Sequence, residues 1–274
     1  MTFALTFWGV RGSIACPSPR HVAFGGNTSC LHVSANRHEI ILDAGTGLRS
    51  LGLDLVRRDV KSATVLMTHT HWDHMNGFPF FSPAFDEGRS FRIFAGHLWD
   101  VPGGVKAVLA GQMAQPMFPV PLETMRANME FIDFKAGETL DLAPGLVVKT
   151  CLLRHPNRAT GYRIEWEGKS LCYVTDTEHV PGQPDENILR LIEGADVVVY
   201  DCTYTDDEYP RYAGWGHSTW QEGVRLCRKA NVKRLALFHH DPTHEDERME
   251  RIEAEAMAEW PGTFAAREGM RVDI

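Results

Sequence analysis

The sequence predicts an α/β or α+β domain on two observations. Five apolar, strand-like segments each deliver a His or an Asp at the carboxyl end: 65–67 before His69, 146–153 before His155, 170–174 before Asp176, 196–200 before Asp201 and 234–238 before His239. Between and after them, helical periodicity with capping residues marks 48–58, 220–230 and 244–260. In such an architecture the carboxyl ends of the strands share one rim, where ligands and reacting groups gather.

Taken in order, 3–10 and 29–34 alternate well enough for strands, and 39–43 ends a third on Asp43 before Ala44-Gly45-Thr46-Gly47. The Gly/Pro-rich stretches at 11–19 and 24–28 are turns. Asp43 either caps the helix at 48–58 or braces the following loop by hydrogen bonds. The interval 96–133, with Met113, Met117 and the run Pro116-Met-Phe-Pro-Val-Pro121, is expected to be an insertion that forms a lid. Residues 262–274 close the chain with a loop and a strand.

Composition sets the broad class. With 274 residues, 43% hydrophobic and 23% charged, the chain suits a single globular domain over 1–274. Its net charge of -8 gives no general attraction to a polyanion, so long nucleic acid is not expected as a partner. No apolar stretch approaches a membrane span, and the N-terminal segment lacks the basic start of a signal peptide. The six cysteines are scattered without a C-x-x-C pair, which fits reduced thiols and a cytoplasmic setting.

The most informative stretch is Thr68-His69-Thr70-His71-Trp72-Asp73-His74. Three imidazoles and a carboxylate within six positions form a ligand set for zinc, manganese or iron. His69 and His71, two apart in an extended segment, project to the same side and can bind one ion. Asp73 and His74 need a turn to face a second.

The pattern His-x-His-x-Asp-His, as His69, His71, Asp73 and His74, resembles the signature of the metallo-β-lactamase superfamily of metal-dependent hydrolases. His155, Asp176 and His239 match its remaining ligands in order. The resemblance implies a four-layer αββα metallo-β-lactamase sandwich holding two divalent metal ions, zinc foremost, with manganese or iron as alternatives. Carried over residue by residue, one ion takes His69, His71 and His155, the other takes Asp73, His74 and His239, and Asp176 bridges them. Neighbours in a strand point to opposite faces, so His239 is expected to be the ligand and His240 a supporting or substrate contact. A diiron redox branch carries glutamate at the position of His71, so the histidine favours hydrolysis.

Gly216-His217-Ser218-Thr219 ahead of a helix is similar to the phosphodiesterase branch, which includes ribonuclease Z. In that branch the histidine contacts the phosphate and helps protonate the leaving oxygen, so His217 is expected to act with Asp73 and Asp176; Ser218 or Thr219 can cap the helix at the same time. An acid beside His217 could be Glu208 or, at a strand end, Asp201. His179 either reaches the cleft or lies on an exposed loop. Arg11 and Arg154 are candidates to bind phosphate by forked hydrogen bonds. The tRNA-processing members carry a projecting basic arm. Here Lys106, Arg126 and Lys135 form no cluster, so a small or cyclic phosphodiester is the expected substrate. The alternatives are a carboxylic ester, lactone or thioester hydrolase, an RNA-processing nuclease, and a non-catalytic metal-binding sensor. A homodimer is common among similar proteins.

Overall fold

A computed structural model describes residues 2–274. The first sheet collects β1 (Phe3–Gly9), β2 (Cys30–Ala35), β3 (His38–Leu42), β4 (Ser62–Met67), β5 (Ser90–Ala95) and β6 (Asn128–Asp133). The second collects β7 (Thr139–Ala143), β8 (Leu146–Leu153), β9 (Ala159–Trp166), β10 (Lys169–Val174), β11 (Val197–Asp201), β12 (Leu235–Phe238) and β13 (Thr263–Ala265). β14 (Arg271–Asp273) returns to the first sheet and pairs antiparallel with β1. The orders are β14-β1-β2-β3-β4-β5-β6 and β13-β12-β11-β10-β9-β8-β7.

Both sheets are mixed. β3, β4, β5 and β6 are parallel neighbours, as are β10, β11, β12 and β13, whereas β7, β8, β9 and β10 alternate in direction. β8 therefore runs with β10, β11 and β12. Their carboxyl ends open on one edge.

The inner faces meet in a core where Leu5, Phe7, Leu31 and Leu42 pack with Val148, Tyr162, Ile164, Tyr173 and Phe238. Helices α1 (Gly47–Arg57) and α3 (Gly104–Gln112) cover the first sheet, and α2 (Trp72–Met75) is a single turn after β4. Helices α4 (Glu186–Ile192), α5 (Trp220–Lys229) and α6 (Asp246–Glu259) cover the second. The result is the αββα sandwich. Strand β11 is buried on both faces, with Val197 and Val199 in the inner core and Val198 and Tyr200 under the helices, so its sequence is an unbroken apolar run.

The interval 96–133 divides. α3 buries Val105 and Leu109, and β6 extends the first sheet beside β5, so much of the interval belongs to the packed layers. The stretch around Leu98 and Val101 lines the mouth described below. Among the described residues no helix is long and apolar enough to cross a membrane.

Candidate metal centre

Seven side chains from the ends of both sheets converge. His69, His71 and His155 form one group, and Asp73, His74, Asp176 and His239 form another. In the first, His71 Nδ1 lies 3.0 Å from His69 Nε2 and 2.9 Å from His155 Nε2. In the second, Nε2 of His239 and of His74 each lie 3.2 Å from Asp176 Oδ1, and His239 Nε2 lies 3.2 Å from Asp73 Oδ2. Asp176 Oδ2 turns toward the first group, 3.6 Å from His69 Nε2 and 3.5 Å from His155 Nε2. One carboxylate thus addresses both groups.

The outward nitrogens of these rings are held by the surrounding fold. His74 Nδ1 donates to Asp43 Oδ2 at 2.9 Å, and His155 Nδ1 donates to the Gly216 carbonyl at 2.8 Å. Thr203 Oγ1 donates to Asp201 at 2.7 Å, so its oxygen is left to accept from His239 Nδ1 at 3.0 Å. Thr68 Oγ1, which donates to Asp43, accepts from His69 Nδ1 at 3.1 Å in the same way. With their outer nitrogens held in this way, the remaining nitrogens of these four rings face inward beside His71 Nδ1 and the Asp73 and Asp176 carboxylates. The donor set fits two borderline divalent ions. Orienting partners of this kind also set ligand basicity.

Electrostatics agree with that geometry. Burial pushes the Asp176 carboxyl upward, yet His239, His74 and His69 hold it well below the usual carboxylate range. Burial, reinforced by His74, drives His69 well below its ordinary value.

The backbone at the rim is strained. Asp43, Asp176 and His239 have φ of 60°, 58° and 60°, each just beyond a strand whose chain must turn sharply over the edge. Gly12 packs so tightly on His239 that a Cβ there would lie 2.4 Å from the ring. Beside it, the Ser13 amide donates to Asp73 Oδ2 at 2.8 Å, a contact with no signature in the sequence.

His217 stands next to the cluster. Its Nδ1 is 3.0 Å from Asp201 Oδ2, and its ring stacks on His239 with centroids 4.9 Å apart. Asp201 is fully buried and also accepts from the Thr177 amide, the Thr203 amide and the Thr203 hydroxyl. Burial disfavours charge on His217, but the Asp201 carboxylate pushes its pKa up to about 9. Thr219 Oγ1 caps α5 by accepting from the Glu222 amide, so capping falls to Thr219 and His217 is left to face the cluster.

Other expected positions have different occupations. His240 turns away and bonds the Ala266 carbonyl through Nε2 at 2.9 Å, because the bridge between Arg11 and His240 directs it to the opposite face from His239. Arg11 is fully buried; its Nε and Nη1 bond the carbonyls of Gly25, Asp241 and His244 and so tie loops together, while its Nη2 has no hydrogen-bond partner among the described residues. Arg154 is exposed and lines a separate hollow with Glu178 and Gln183. Glu208 meets His244 and the Thr205 amide instead of His217. His179 is buried, stacks on Tyr209 and bonds Ser218 Oγ at 2.9 Å, behind His217. Asp43 serves as a brace, bonded to His74, Thr68 and Tyr173; it does not cap α1, whose N-cap residue is Thr46. Glu178, which the sequence did not single out, accepts from the amides of Gly214 and Gly216 and shapes the turn before His217.

A sequence family described as "Beta-lactamase superfamily domain" matches residues 38–240. Ribonuclease Z of Exiguobacterium sibiricum is 27% identical over 276 residues, covering 84% of this chain and 88% of that protein. Among solved structures, the metallo-beta-lactamase fold protein YhfI from Bacillus subtilis is similar with a TM-score of 0.76 at 17% identity over 99% of each chain. A diphosphatase from the PhnP family is similar with a TM-score of 0.72 at 17% identity, covering 99% of this chain and 98% of that one. The matched span contains all seven converging side chains and His217, and the chain belongs to the metallo-β-lactamase superfamily of metal-dependent hydrolases.

Proposed function

We propose that the protein is a dinuclear phosphodiesterase acting on a small or cyclic phosphodiester, with His217 as the proton donor. The observation that carries this reading is the His217–Asp201 pair set against the seven-residue cluster. His69, His71 and His155 would hold one ion, Asp73, His74 and His239 the other, with Asp176 between them. Such ions, when bound, supply an ionised water near neutral pH and offset charge on the phosphate oxygens.

The chain's own residues account for the leaving group. Because Nδ1–H of His217 is committed to Asp201, the second proton of the imidazolium sits on Nε2, free for a substrate oxygen. An alkoxide is a poor leaving group and needs that proton as the ester bond breaks, a contribution of about 10²–10⁴ in rate. Asp201 takes no proton itself. It keeps the ring oriented and charged, and the hydrogen bonds from Thr177 and Thr203 hold the carboxylate in place.

The ribonuclease Z relatives favour a second reading, an RNA-processing nuclease. A net charge of -8 and the folding of α3 and β6 into the packed layers weigh toward small diesters. The test is hydrolysis by metal-analysed protein of bis(p-nitrophenyl) phosphate, cyclic nucleotides, a short RNA panel at several salt concentrations, a lactone and a thioester. We expect diester cleavage, reduced roughly 10²-fold or more in His217→Ala with both metals retained. Lactone or thioester turnover indifferent to His217→Ala would overturn the proposal. Strongly salt-dependent cleavage of RNA alone would replace it with the nuclease.

A further inference from the structure

Beside His71 lies a cavity of about 330 Å³ lined by His69, Thr70, His97, Leu98, Val101 and Arg158, among others. Its size is at the low end for ligand pockets, enough for one arm of a small diester and too small for a folded RNA helix. Three features mark it as built for a ligand.

His97 is 2% exposed; its Nε2 meets Thr70 Oγ1 at 3.0 Å, while its Nδ1 has no hydrogen-bond partner among the described residues. An unpaired buried polar atom is costly, and a ligand hydrogen bond would recover that cost. Arg158 lies with Cζ 4.1 Å over the Trp99 ring and is clamped by Asp100 at 2.7 and 3.2 Å. Its charge is thereby met, and its flat guanidinium forms part of the wall. Finally, Asn157 and Arg158 have φ of 61° and 71°, in the turn that follows His155. Glycine would occupy that conformation without strain. Arginine there carries left-handed strain that glycine would not.

We infer that this pocket receives the base-bearing half of the substrate, a planar, hydrogen-bonding ring such as a nucleobase stacking against Arg158, with its edge met by His97 and Asn157. Leu98 and Val101 supply the apolar contact. Guanidinium planes stack on bases, and such stacking tolerates any base because each has a π-face. The inference rests on the phosphodiesterase reading and adds to it the class of diester.

Binding can be measured without turnover. Calorimetry on the metal-loaded protein would compare adenosine 5′-monophosphate, ribose 5-phosphate and phenyl phosphate, and adenosine itself would be titrated into chelator-treated protein. We expect the nucleotide to bind roughly 10-fold or more tighter than either other phosphate, and adenosine to bind without metal. Arg158→Gly, which relieves the backbone, should abolish that preference. So should Val101→Trp, which fills the hollow from a 38% exposed position while leaving the Arg158 guanidinium present. Equal binding of all three phosphates, a preference that survives both substitutions, or phenyl phosphate matching the nucleotide would each overturn the inference. Base-dependent binding in a protein that hydrolyses no diester would count against the phosphodiesterase reading alone.

Discussion

Gly216→Ala tests how closely the turn before His217 is fitted to the metal centre. Gly216 has φ of 88°, and a Cβ there would lie 2.4 Å from His155 Nδ1 and 2.5 Å from Pro156 Cδ. Ordinary contact begins at 3.4 Å, so the His155 ring must retreat by about 1 Å. It would also strain its bond to the Gly216 carbonyl, the contact that orients it. Disturbing such an orienting contact costs about 10–100-fold in metal affinity. Gly214→Ala is the control, with φ of 93° and nothing within 4 Å of its Cβ. Both substitutions carry a left-handed strain of about 1–2 kcal/mol, hence a fall in Tm of roughly 2–8 °C. Only Gly216→Ala should weaken metal binding, read by competition against a graded chelator with metal counted by mass spectrometry. Equal metal affinity in the two variants would refute the fitted contact.

Two further predictions concern charge and packing. In metal-free protein, His217 has its pKa raised from an ordinary 6.5 to about 9, so its stabilising contribution is complete below about pH 6.5 and is lost as pH rises through about 9. Asp201→Asn should flatten that part of the stability-versus-pH curve in urea melts at pH 6, 7.5 and 9.5; an unchanged slope would show that His217 does not draw its charge from Asp201. Arg11→Lys should lower stability by about 2–4 kcal/mol, since it cannot keep the bonds to Gly25, Asp241 and His244 together, while leaving the KM for diesters unchanged. A raised KM at unchanged Tm would return Arg11 to the phosphate.

The readable part of this protein is what chain neighbours encode. His69, His71, Asp73 and His74 lie within six positions, so local spacing alone brings them together. His155, Asp176 and His239 follow apolar runs, and apolar strands of shared direction bring their ends to one edge. His217 was legible through its Gly-His-Ser-Thr setting. The edge strand β6, by contrast, has only partly buried or exposed side chains, so its pattern carries no core signature and the interval around it resembled an insertion.

Partners distant in the chain left no such trace. Whether Arg11 meets phosphate or the carbonyl of His244, 233 positions away, depends on where two loops land. The same holds for Glu178 against Glu208, two acids of similar sequence setting, of which only Glu178 reaches the turn before His217. The sequence by itself therefore determined which imidazoles and carboxylates converge, their order and the architecture that gathers them, because these follow from side-chain chemistry and hydrophobic periodicity. Only the tertiary structure decided which neighbours orient each imidazole, which arginines are bound to backbone and what lines the cavity beside His71, because those contacts join segments that no local pattern relates.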